Sequence, residues 1–165
     1  MIISKKTYYA MCVVSAALNI LQAALQCFGI AAGYFGTAAA MLFCVAMLFL
    51  AGADRDKNKT YMYTEMGAVV LGILSMCNVP IIGAFVWPSF AYAYFKLDSK
   101  EIKKLASIVI VCGVGGGILS LFARQLGIIW QIISVIIFIS QLIFAYSLFK
   151  TEATLQENGD TNIEK

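Results

Sequence analysis

The chain has 165 residues, of which 61% are hydrophobic and 13% charged, with a formal net charge of +3 and no histidine. Its mean hydropathy is +0.85. Soluble domains are about 45–50% apolar, so a water-soluble globule of this length is excluded, and there is no room for a second domain. The reading is an all-α integral membrane protein with a short polar tail.

The first apolar segment covers 8–28 and follows Lys5 and Lys6. Its interior amides are poor for a secretory signal core, and more spans follow, so it reads as an uncleaved helix. At 100° per residue, Ser15, Asn19, Gln22 and Gln26 fall within about 60° of one another. A polar stripe in lipid must find partners. Either it bonds to neighbouring helices as glue or it walls a hydrated cavity. Gly29, Gly33 and Gly36 flank the first turn. The second segment, 34–53, ends at the charged run 54–59. The third and fourth, 61–78 and 81–96, are separated by Asn78 and Pro80. Together they are too long for one helix across ~30 Å of hydrocarbon. The fourth is short and holds Pro88, which favours tilting or a kink. Glu65 is the acid nearest the membrane, and its proximity in sequence to Lys57 and Lys59 suggests an interfacial ion pair. A proton relay is the other reading.

The fifth segment, 104–123, carries Gly113, Gly116, Gly117 and Ser120 on one helical face, and the same phase extends to Arg124. Gly113 and Gly117 have the GxxxG spacing of close helix crossing. The same glycines could permit a hinge. The sixth segment, 127–149, adds a looser polar set at Gln131, Ser134 and Gln141. The tail 151–165 is polar and is expected to be disordered.

With the N-terminus in the cytoplasm, eleven of the twelve Lys and Arg residues fall inside and only Arg124 outside. That bias supports six spans with both termini cytoplasmic. The tetrapeptides beginning at Asn19, Gly72 and Gly117 stand at matching depths in the odd spans. They suggest three αα-hairpin repeats, with the odd helices facing inward around a pseudo-threefold axis. Lys96, Lys100, Lys103 and Lys104 would face anionic lipid head groups at about 1 kcal/mol per charge.

Catalysis is not expected. There is no histidine for general base work and no pair of carboxylates in the membrane. Cys12, Cys27, Cys44, Cys77 and Cys112 form no CxxC, so neither a metal nor another cofactor is expected. The functional expectation is a multi-pass transporter or channel subunit of the cell membrane for a small polar solute, an anionic one included. Ser15, Asn19, Gln22, Gln26, Ser75 and Ser120 would bind the solute and Arg124 would guard the outer mouth. The six spans are few, so a homo-oligomer or a partner membrane subunit is expected, and no nucleic acid. The alternative is a non-catalytic interaction module that assembles through its glycine and amide faces.

Overall fold

A computed structural model describes residues 4–55, 59–77, 81–95 and 99–161, with side chains up to Glu152. Every element among them is a helix: α1 (Lys5–Cys27), α2 (Gly33–Asp54), α3 (Lys59–Met76), α4 (Gly83–Tyr94), α5 (Lys100–Ser120), α6 (Ala123–Leu126) and α7 (Ile128–Thr161).

The helix ends have local causes. The Ser4 hydroxyl accepts the Lys6 amide at 3.1 Å, which satisfies one of the free donors at the start of α1. At its other end Gly29 takes a φ of +73°, a conformation that glycine adopts without a Cβ penalty. The Ile30 amide then donates to the Leu25 carbonyl, and the Gly29 amide to the Gln26 carbonyl. This reciprocal pair closes the last turn of a helix. Gly127, with φ +53°, turns the chain between α6 and α7, its amide donating to the Ala123 carbonyl at 3.1 Å.

Four helices are long and apolar enough to cross a membrane: α1, α2, α5 and α7 as far as Glu152. Only 22–39% of the apolar window of each is buried inside the protein. The rest is apolar surface that water would not tolerate and lipid would cover. Leu21, Leu48, Val111 and Ile136 lie on it. The molecule is therefore a helical membrane bundle. The other two expected spans fall short of that standard. α3 is polar in its first half, with Lys59 and Glu65. α4 has 12 residues, about 18 Å of helix.

Other boundaries moved too. The fifth helix ends at Ser120, before a turn and the single-turn α6, where a continuous helix to 123 was expected. The last helix runs past 149 to Thr161. Asn78, Pro80, Lys57, Lys96 and Lys165 lie outside the described residues.

The six larger helices form a ring. α1 packs on α2, α2 on α3, α3 on α4 and α4 on α5, and α7 closes the circle by packing on both α5 and α1. The start of α1 meets the end of α2 where Lys5 pairs with Asp54. It meets the later part of α7 where the Lys6 ammonium stands 5.5 Å from the Phe149 ring centre. One end of the ring is therefore rich in lysine, and Arg124 lies towards the other. All six helices face inward. The arrangement with odd helices inside and even helices outside is not the one observed, because the polar and small residues on even helices also reach the interior.

Close approach of the helices depends on glycine at particular contacts. A Cβ on Gly113 would stand 2.4 Å from the Pro88 Cγ and 3.0 Å from the Ala84 carbonyl oxygen. Pro88 has no amide hydrogen, so the Ala84 carbonyl lacks its usual helical partner. α5 lies close against α4 at this point. One turn on, a Cβ on Gly117 would stand 2.9 Å from that of Ala84. Gly116 receives Ile137 of α7, 2.5 Å from where its Cβ would be. The glycine face of α5 is thus wedged between two neighbours.

The candidate functional site: a central cavity above an aromatic seal

The ring encloses a cavity of about 500 Å³ in the half away from the lysine-rich end. Ligand sites typically measure about 300–1,000 Å³. Every one of the six helices contributes to the wall, and small residues make the room: Gly36 on α2, Gly72 on α3, Gly83 on α4 and Gly116 on α5. Among the described residues no lysine, arginine, aspartate or glutamate lines it.

Five of the seven residues expected to bind solute reach this space: Ser15, Asn19, Gln22, Ser75 and Ser120. Their hydrogen bonds differ. Ser15 is fully buried and donates to the Ala39 carbonyl of α2 at 2.8 Å, so it ties two helices together. Ser120 donates to the Gly117 carbonyl at 2.7 Å within its own helix and keeps its oxygen lone pairs for the cavity. The Asn19 and Gln22 side chains make no hydrogen bond to another described residue. Their amides are open to whatever fills the space. Gln22 extends across α2 so closely that a Cβ on Gly36 would lie 1.9 Å from its Oε1.

The other two residues stand elsewhere. Gln26 is in the last turn of α1, where its carbonyl accepts the Gly29 amide, and it does not line the cavity. Arg124 is exposed on α6, away from the cavity wall. Of the glycines, Gly113 and Gly116 touch the cavity edge, while Gly117 is buried against Ala84. Lys100, Lys103 and Lys104 are exposed. Lys103 lies 5.2 Å from the Phe95 ring centre.

The structure adds residues to the set. Gln141 on α7 is 5% exposed, and its Oε1 has no hydrogen-bond partner among the described residues. It lines the cavity, so it offers a buried acceptor to a donor there. Ser134 and Trp130 line the same wall, with Ser134 donating to the Trp130 carbonyl at 2.9 Å.

An aromatic layer closes the floor. Phe43 and Trp87 have ring centres 4.6 Å apart, and Phe90 stands edge-on to Phe43 at 5.8 Å. Phe90 also meets Tyr94 at 5.2 Å and Phe144 at 5.8 Å. Such edge-to-face pairs contribute about 0.5–1.5 kcal/mol beyond their buried area. Directly beneath, the Tyr9 and Tyr94 hydroxyls hydrogen-bond to one another at 2.9 Å, which links α1 to α4 across the ring.

Below the tyrosines lies a charged group. Lys5 is paired with Asp54, which is 4% exposed. Glu65 is fully buried and forms no ion pair among the described residues, contrary to the interfacial pair expected of it. The sequence carried a signal for its burial. Glu65, Ala68, Gly72 and Ser75 share one face of α3 within about 80°, and the last two line the cavity.

Among the described residues no group of three or more cysteine, aspartate or glutamate side chains could hold a metal ion. Comparison with family models, with curated proteins and with solved structures found no match.

Proposed function

We propose that this chain is a small multi-pass carrier or channel subunit of the cell membrane, and that its solute is uncharged and polar. In this reading all six larger helices traverse the bilayer. The lysine-rich end and both termini face the cytoplasm, following the positive-inside bias, and the cavity opens outward. α4 is short for a span, and local thinning or its neighbours in the ring would accommodate it. The chain does no covalent chemistry. It recognises a solute and lets it past the aromatic layer.

One observation carries the reading: a ring of six helices holds a cavity of about 500 Å³ whose wall, among the described residues, presents unbonded side-chain amides and no charge. An amide without a partner is costly in a dry membrane interior, so the buried Gln141 and the half-buried Asn19 and Gln22 favour a wet space. The neutral wall favours an uncharged solute over the anion that Arg124 had suggested. Lys100, Lys103 and Lys104 would rest against anionic lipid in this orientation. The alternative, a module that assembles through its glycine and amide faces, draws less support, because Gly113, Gly116 and Gly117 are occupied inside the ring.

Thiol labelling tests the cavity. In reconstituted protein, Asn19→Cys and Gln22→Cys should react from outside with a polar, membrane-impermeant thiol reagent, above the background of the native cysteines. Val14→Cys and Leu21→Cys, on the apolar exterior, should not. Protection of both cavity positions would remove transport as the function. Stopped-flow swelling of proteoliposomes with glycerol and urea, against the permanently charged choline and methanesulfonate ions, tests the solute class. Faster entry of the charged pair would overturn it.

A further inference from the structure

Glu65 is not used by the cavity, yet its surroundings are unusual for an acid. It is 0% exposed, and neither carboxylate oxygen has a hydrogen-bond partner among the described residues. The charged and titratable groups within electrostatic reach come from several helices. α1 supplies Lys5, Tyr9 and Cys12, α2 supplies Asp54, α3 supplies Tyr61 and α4 supplies Tyr94. Glu152 of α7 acts on the same cluster through Tyr9. Only one of these groups is cationic, and Lys5 is already bound to Asp54. Two buried carboxylates therefore share a single counter-charge. An ionised carboxylate left without a partner in such a place is expensive, and ionisable groups inside membrane proteins commonly mark ion pathways.

Position adds a second argument. Glu65 lies on the lysine-rich side of the aromatic floor, beside the hydroxyl pair that joins Tyr9 of α1 to Tyr94 of α4. That pair bridges the ring under Phe90 and Phe144. For a solute to leave the cavity towards the lysine-rich end, α1 and α4 must separate here. The same movement would admit water to Glu65.

We propose that Glu65 is a proton-binding site that couples proton occupancy to the opening of the aromatic seal. With the seal closed the side chain is the neutral acid and Lys5 is left to balance Asp54. When Tyr9 and Tyr94 part, the acid gives its proton to water at the lysine-rich end, and the carboxylate is then solvated. Reclosure takes one proton back from water. Nothing is oxidised or reduced. The proposal rests on reading the aromatic layer as a gate, but its test needs no solute.

Trp87 sits in the seal against Phe43, and the chain has only two tryptophans. Trp130→Phe thus leaves Trp87 as the sole reporter. In lipid nanodiscs its fluorescence should follow a one-proton transition with pH, unchanged when sodium is replaced by choline. Adding Glu65→Gln, with folding checked by circular dichroism, should abolish the transition. Adding Asp54→Asn instead should free Lys5 to serve Glu65 and move the midpoint to lower pH. A transition that survives Glu65→Gln, depends on sodium, ignores Asp54→Asn or is missing from the parent protein would overturn the proposal. Labelling of Asn19→Cys that persists in the same Glu65→Gln protein separates this failure from failure of the transport reading.

Discussion

The approach of α5 to α4 can be tested by placing one methyl group at two nearby glycines. In Gly113→Ala the new Cβ would meet the Pro88 Cγ at 2.4 Å and the Ala84 carbonyl oxygen at 3.0 Å. An ordinary contact starts near 3.4 Å, so about 1.0 Å must be found (3.4 − 2.4). Neither obstacle gives easily: one is a proline ring and the other is backbone. Overpacking of this kind costs about 1–3 kcal/mol. Alanine returns about 1 kcal/mol through its better helix propensity. The net effect is a loss of up to about 2 kcal/mol. Gly115→Ala receives the same propensity gain and meets nothing within 4 Å, so it should be stabilised by about 0.5–1 kcal/mol. The difference between the variants is then about 1–3 kcal/mol. At about 2–4 °C per kcal/mol for a chain of this size, Gly113→Ala should melt several degrees below Gly115→Ala in the same lipid or detergent. Equal melting temperatures would show that α5 does not press on α4 where Pro88 frees the carbonyl.

The hydroxyl pair and the ion pair at the lysine-rich end give two further expectations. Tyr9→Phe or Tyr94→Phe alone leaves one buried hydroxyl without its partner and should cost about 1–3 kcal/mol, while the double variant should recover most of that loss. Additive losses in a double-mutant cycle on thermal stability would mean that the two hydroxyls do not share a bond. Lys5→Met strands Asp54 as a buried carboxylate, for which losses reach about 3–5 kcal/mol in fully buried pairs. Lys5 keeps 25% of its side chain exposed, so the loss should fall below that range, and Asp54→Asn in the same chain should restore part of it. A Lys5→Met protein as stable as the parent would mean that the pair adds nothing to the fold.

Periodicity made some of this structure legible and concealed the rest. The stripe through Ser15, Asn19 and Gln22 was readable because α1 is one unbroken helix through all three positions. The reasoning failed at Arg124, which shares the phase of Gly113 and Ser120 only if the helix continues. It stops at Ser120, and the turn at Leu121 and Phe122 resets the direction of every later side chain. Gln26 keeps the phase of Gln22 but stands in the last turn, beyond the cavity wall. The four helices long and apolar enough to cross a membrane were visible as runs of suitable length. α4 was visible as a weak one, because Pro88 and a short apolar run both mark it. Contacts between distant parts of the chain were not readable. Lys5 and Asp54 are 49 positions apart, and Tyr9 and Tyr94 are 85 apart. No local pattern pairs them, so the acid beneath the seal was first given the nearest lysines in sequence as partners. Its phase with Gly72 and Ser75 pointed inward all along.

Because α7 alone completes the circle begun by α1, the cavity has no wall on one side until the final helix enters the membrane. Until then the amides of Asn19 and Gln22 would face the acyl chains. The insertion machinery or a passing helix must shelter them in that interval. A chain truncated before Ile128 would keep four of the five neighbour contacts that precede closure and still enclose nothing, which makes it a natural substrate for membrane quality control.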